Sequence, residues 1–426
     1  MRTSRAAALA ALALAAGTVL PAAPAAFATP NTPAADQVGP ASVWYSASNW
    51  RILDTRVGNG APSGKVGPDG VVRLDIAKLL QVPADRLPSS VVMNVTAVDS
   101  TEDSYITAYP GGAARPVVSN LNVDTAHKVT SNRVTVQVGP DGIVNLYNHI
   151  GRVHLVADLQ GWYVPRSAAP VTTPGFTFEL GEPQRLLDTR TDLGGHPGKL
   201  LGGAGNVFDL DISSVGSISG LQVVQATVTE PTEDAHLTMY PAGQQPWSIS
   251  DVNFSAGQTA TNLSYAYTGR EGKLALYTNS GAAHVVVDYL GKFEGNVSGT
   301  PAGQHGLFVP ATPTRVLDTR EGLGAPQHQA GPGSTTRVKV TGLGGVPDNV
   351  AAVVLNLTGT NADQAGHVTA HKAGTPVPGT SNLNYTAGQD IASMTIVPVS
   401  ADGFIELYNP HGSLDLVADV QGYYTS

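Results

Sequence analysis

Hydrophobic and polar positions along this chain follow a period of two, not 3.6. Val71-Val72-Arg73-Leu74-Asp75-Ile76, Val91-Val92-Met93-Asn94-Val95-Thr96, Arg133-Val134-Thr135-Val136-Gln137-Val138 and Val153-His154-Leu155-Val156-Ala157-Asp158 alternate or run in β-branched residues, bounded by Gly and Pro clusters. Such runs predict strands. Gly139-Pro140-Asp141-Gly142 separates two of them and predicts a hairpin turn, because the Asp-Gly pair supplies positive φ. Its counterparts are Gly269-Arg270-Glu271-Gly272 and Ser400-Ala401-Asp402-Gly403. Only residues 75–80 and 211–215 suggest a helical turn. Short Val/Thr strands at this spacing predict antiparallel sandwiches rather than a parallel sheet with crossover helices.

The pattern is repeated three times. Arg51-Ile52-Leu53-Asp54-Thr55-Arg56 recurs as Arg185-Leu186-Leu187-Asp188-Thr189-Arg190 and as Arg315-Val316-Leu317-Asp318-Thr319-Arg320. Ser119-Asn120-Leu121-Asn122 returns as Ser250-Asp251-Val252-Asn253 and Ser381-Asn382-Leu383-Asn384. Each unit closes alike, at Asp158-Leu159-Gln160-Gly161-Trp162-Tyr163, Asp288-Tyr289-Leu290-Gly291-Lys292-Phe293 and Asp419-Val420-Gln421-Gly422-Tyr423-Tyr424. A period of about 130 residues is a whole domain, not a solenoid turn. The fold class expected is therefore all-β: three tandem homologous antiparallel β-sandwich domains at 41–165, 175–294 and 305–426, with jelly-roll and immunoglobulin-like topologies both open. Pro-rich residues 166–174 and Gly-rich residues 295–304 read as linkers, and Pro/Ala-rich residues 29–40 as a disordered one.

Composition adds a compartment. Arg2 and Arg5 precede an apolar run to Leu20, Pro21 and Pro24 break it, and Ala26-Phe27-Ala28 presents small residues for cleavage. Residues 1–28 thus read as a secretory signal peptide. No later apolar run is long enough to span a bilayer, so no membrane insertion is expected. The chain has no cysteine, which excludes disulfides, thiolate metal sites and a cysteine nucleophile. With 24 basic and 33 acidic residues it carries −9 formally, dispersed along the chain, which argues against a nucleic-acid partner.

A unit that opens Arg-Leu-Leu-Asp-Thr-Arg, carries Ser-Asn-Leu-Asn and closes Asp-Val-x-Gly-Tyr resembles a repeat domain of secreted actinobacterial proteins. The resemblance spans nearly all of the chain after the leader. It implies an extracellular or wall-associated location, sometimes beside a cell-wall hydrolase domain, and no settled activity. The middle copy departs from it: Gln225 stands where the others have Asn94 and Asn356, and Asp251 where they have Asn120 and Asn382. A site built on those positions would be weakened in that copy.

Polar residues kept in all three copies are the candidates for chemistry. Arg51, Asp54, Arg56 and Asp158, with Arg185, Asp188, Arg190 and Asp288 and with Arg315, Asp318, Arg320 and Asp419, are expected to form a partly buried bidentate ion pair stitching first strand to last. In an extended run, Asp54 and Arg56 would share one face and Arg51 point to the other. Ser119, Asn122 and Tyr147, repeated as Ser250, Asn253 and Tyr277 and as Ser381, Asn384 and Tyr408, offer the hydroxyls, amides and rings of a ligand-binding, carbohydrate-type site. The same groups also serve turns and strand ends.

No catalytic motif is present: no Gly-x-Ser-x-Gly elbow, His-Glu-x-x-His helix, Walker loop or dinucleotide fingerprint. His154 and His284 align but the third copy has Leu414 or Asp415 there, and Asp209, Asp211, Glu230, Glu233 and Asp234 read as turn charges of the second copy. Acidic turns such as Asp99-Ser100-Thr101-Glu102-Asp103 could take calcium, but no Asp-x-Asp-x-Asp-Gly loop supports it; no metal or cofactor is expected. The function expected is a secreted multivalent binding or adhesion protein for cell-wall or environmental polysaccharide, three copies raising avidity. A non-catalytic envelope spacer of three beads and a hydrolase confined to one divergent repeat are the alternatives.

Overall fold

The computed structural model describes residues 38–215, 220–296 and 305–426. The expected leader, residues 29–37 of the tail and residues 297–304 of the second linker lie outside them. Unit one contains β1 (Ser42–Asp54), β2 (Val71–Asp75), α1 (Ile76–Leu80), β3 (Ser90–Val98), β4 (Ser104–Pro110), β5 (Leu121–Val123), β6 (Val129–Gln137), β7 (Ile143–Asn148) and β8 (His154–Pro165). Unit two contains β9 (Phe176–Asp188), a short β10 (Leu200–Leu201), β11 (Val207–Asp211), β12 (Leu221–Thr229), β13 (Ala235–Pro241), β14 (Val252–Phe254), β15 (Ala260–Tyr267), β16 (Lys273–Thr278) and β17 (Ala282–Gly295). Unit three contains β18 (Phe308–Asp318), β19 (Ser334–Lys339), β20 (Val350–Thr360), β21 (Gly366–Lys372), β22 (Leu383–Tyr385), β23 (Ile391–Pro398), β24 (Phe404–Asn409) and β25 (Asp415–Thr425).

Every unit is an antiparallel sandwich with the same topology. In unit one the inner sheet runs β1-β8-β3-β6 and the outer sheet β2-β7-β4-β5. Units two and three repeat both orders. Eight strands ordered 1-8-3-6 and 2-7-4-5 make a jelly roll, which resolves the choice the sequence left open. Strand alternation explains the sandwich filling: Val144 and Leu146 of β7 point into the unit-one core while Tyr147 is on the other face of the sheet.

The Gly-Pro-Asp-Gly turn corrects one expectation. Gly142 has φ of 76° and the Gly139 N–H donates to the Ile143 carbonyl at 2.9 Å. Yet β6 before it lies in the inner sheet and β7 after it in the outer one, so the turn crosses between sheets and is not a hairpin. Periodicity reports which residues face a core, not which strand they pair with.

The units are not separate beads. Their inner sheets join through β1, which pairs β18 at Ser42–Phe308 and β9 at Trp44–Phe176. One apolar cluster draws on all three units. Its centre holds three cross-strand aromatic pairs, Trp44–Tyr163, Phe178–Phe293 and Phe308–Tyr424, together with Tyr265. Trp44 meets Phe293 at 5.2 Å, Tyr163 meets Phe308 at 4.3 Å, and the Tyr163 and Tyr424 hydroxyls share a 2.6 Å hydrogen bond. The stretch 166–174 is likewise docked: the Arg166 N–H donates to the Ala41 carbonyl at 2.9 Å and the Tyr45 hydroxyl to that of Thr173. Residues 38–40, read from composition as the end of a disordered stretch, bridge to unit three at Val38–Ala311.

Candidate functional site: the clefts between units

The Arg-x-x-Asp-x-Arg run sits at the outer end of β1, β9 and β18, and a strand irregularity shapes it in every copy. The register with the closing strand slips between Arg51 and Leu53, between Arg185 and Leu187, and between Arg315 and Leu317. A bulge re-aims a side chain. Arg51 is thereby brought to the side of Asp54, with Nη1 3.6 Å from Oδ2, and not to the opposite face as an ideal strand would place it. Arg51 also grips Asp158 through Nε at 2.8 Å and Nη2 at 3.1 Å, and Arg56 grips Asp54 at 2.9 and 2.6 Å. Arg185–Asp288 and Arg190–Asp188 repeat this, as do Arg315–Asp419 and Arg320–Asp318.

The carboxylates lie behind and the guanidiniums in front. Side-chain hydrogen bonds from Arg56 and Arg190 hold Asp54 and Asp188 below the usual carboxylate range, whereas burial pushes Asp288 and Asp419 up. The Thr of the motif is spent structurally: Thr55 and Thr189 bond His154 and His284, and Thr319 bonds Asp415. That exchange explains why the third copy can replace histidine.

The Ser-x-x-Asn motif meets the neighbouring unit. At the one–two interface the Asn94 amide donates to the Ser250 carbonyl at 2.8 Å and accepts from Asn262 at 2.8 Å. At the three–one interface Asn356 donates to the Ser119 carbonyl and accepts from Asn132. At the two–three interface Gln225 reaches Ser393 at 3.0 Å. A longer amide and a shorter hydroxyl thus replace the Asn–Asn pair together. Asp251, the second departure of the middle copy, accepts from Arg133 of unit one at 3.2 Å, and both side chains are buried. These departures match partners across an interface.

Open clefts lie between units two and three and between units one and two. The two–three cleft, about 420 Å³, sets Arg185 and Arg190 against Ser381, Asn384, His367 and Tyr408. The one–two cleft, about 310 Å³, sets Arg51 and Arg56 against Ser250, Asn253 and His236. Two motifs far apart in the chain therefore share one site, but only between different units. The Asn side chains are mostly committed there, Asn384 to Thr261 at 2.6 Å and Asn253 to Ser250 at 2.9 Å.

The tyrosines divide: Tyr408 lines the larger cleft, Tyr277 packs near Trp247, and Tyr147 donates to Asp69 under the Arg115 guanidinium. Asp209 and Asp211 are on exposed β11 positions, and Asp103 caps Thr125 at 2.7 Å. Among the described residues no cluster of three His, Asp or Glu could hold a metal ion.

His236 and His367 are the residues the sequence reading missed. They occupy the same position of β13 and β21, where unit one has Tyr105. Burial, then the charge of Arg51, lowers His236; burial, then His411, Arg185 and Arg190, takes His367 down to about 4. Both imidazoles are neutral near pH 7. Unit one carries no imidazole at this position, so comparison of the three copies singled out no shared histidine.

No protein-family model matches the chain, and no curated protein does. Among solved structures, the tandem CBM22-1–CBM22-2 domains of Xyn10C from Paenibacillus barcinonensis are similar at 13% identity and a TM-score of 0.18, over 60% of this chain and 94% of theirs. That correspondence is too loose to transfer a site or a ligand. Among the described residues no helix is long and apolar enough to cross a membrane.

Proposed function

We propose that the chain is a secreted, non-catalytic binding protein for cell-wall or environmental polysaccharide, with its sites in the clefts between units. The observation that carries this reading is the two–three cleft, where exposed guanidinium edges, threonine and serine hydroxyls, a neutral imidazole and a tyrosine ring face one space. Sugars need donors and acceptors together with an apolar surface for their ring faces. The leader-like residues 1–28 and the resemblance to secreted repeat domains support export. Units packed through a common core support a rigid binder over a string of spacer beads.

The test is retention of the full chain on insoluble peptidoglycan, chitin, cellulose and intact bacterial cells. Saturable retention on one surface is expected, falling at least tenfold for His367→Ala and Tyr408→Ala. Absence of retention on every surface would sink the glycan reading.

A further inference from the structure

We infer that the cleft between units two and three binds the carboxylate of an acidic sugar, a uronic-acid residue within a polysaccharide. The inference rests on the glycan reading and narrows it to one cleft and one chemical class. The chain has 33 acidic residues against 24 basic, yet no Asp or Glu lines this cleft while two arginines do. Their partners Asp188 and Asp288 are 9% and 1% exposed, whereas Arg185 and Arg190 are 22% and 48% exposed. The cleft therefore sees the donors of the cluster and not its acceptors.

Arg190 commits Nε and Nη2 to Asp188, and a guanidinium has five N–H groups in a planar fork. The remaining edge suits a second, bidentate carboxylate. On the facing wall the Thr380 hydroxyl is buried without a hydrogen-bond partner, and His367 offers one donor and one acceptor. These are partners for sugar hydroxyls.

The one–two cleft provides an internal contrast. Its wall carries Asp234 where the two–three cleft has Ala365, and unit one has Asp103 at the same position. A carboxylate there opposes an anionic ligand. Ala365 is exposed, so an aspartate at that position is compatible with the fold, as the other two copies show.

The experiment measures binding of the full chain to polygalacturonate, to its carboxyl-reduced form and to poly-glutamate. Polygalacturonate is expected to bind at least tenfold more tightly than either. Ala365→Asp and Arg190→Gln are each expected to weaken it at least tenfold, Ala365→Asp with an unchanged melting temperature. Equal binding of the carboxyl-reduced polymer, or an Ala365→Asp variant that binds as before, overturns the inference and leaves glycan binding standing. Equal binding of poly-glutamate overturns the sugar class. Failure to bind any polysaccharide, neutral or acidic, overturns both readings.

Discussion

Arg133 and Asp251 are buried together where units one and two meet, and burial pushes each toward its neutral form. Arg133 also leaves Nη1 without a hydrogen-bond partner. Such a pair is costly to break and not worth much to keep. Asp251→Asn alone is expected to destabilise by about 3–5 kcal/mol, because a buried guanidinium loses its counter-charge. Adding Arg133→Met, which supplies the Met394 and Asn382 types of unit three, is expected to restore wild-type stability or exceed it. Denaturant melts of the two variants decide this. The pairing is illegible in the sequence, where Asp251 reads as a departure from the repeat and Arg133 as one residue of a strand.

His367 belongs to the same scale. Its folded pKa of about 4 lies below the unfolded value of about 6.5, so the stability it contributes is whole above pH 6.5. That contribution is lost as pH falls from 6.5 through 4, where the unfolded chain takes the proton first. His367→Tyr, the residue type of Tyr105, is expected to flatten the stability profile in that window by about 2 kcal/mol, allowing for partial exposure. Unfolding free energies at pH 7 and pH 4 provide the measurement, and an unchanged slope would contradict the assignment.

At the scale of elements, each inner-sheet strand β3, β12 and β20 presents one amide to the next unit, and the two–three contact is the imperfect one. Gln225 leaves Oε1 buried without a partner, whereas Asn94 and Asn356 use both ends of their amides. Gln225→Asn with Ser393→Asn rebuilds the pair of the other interfaces and is expected to stabilise by about 1 kcal/mol, while either change alone destabilises. A double-mutant cycle in urea separates the outcomes, and additive effects would refute the coupling. Sequence comparison exposed Gln225 as a departure. Its compensation in Ser393 was hidden because the partner is on a different strand of a different unit.

For the whole molecule, the shared aromatic centre predicts that the units unfold together. Calorimetry of the full chain should give one transition, with calorimetric and van't Hoff enthalpies in agreement. Three independent transitions would contradict the common core. Trp44→Ala, which removes a fully buried ring from the cluster the three units share, is expected to cost about 3–5 kcal/mol and lower that single transition without splitting it.

The sequence by itself determined the strands, their sandwich class and the threefold repeat, because these depend on short-range alternation and on turn chemistry written within a few residues. It also singled out the arginines and aspartates, since a charge kept in every copy of a lightly charged chain needs a partner. Only the tertiary structure decided the jelly-roll order, the bulge that turns Arg51 toward Asp54, and the meeting of the arginine run with the Ser-x-x-Asn motif of the next unit. Those depend on which unit packs on which. A pairing across more than a hundred residues leaves no local period to read, so each unit's sequence carries half of a cleft and gives no sign of the other half.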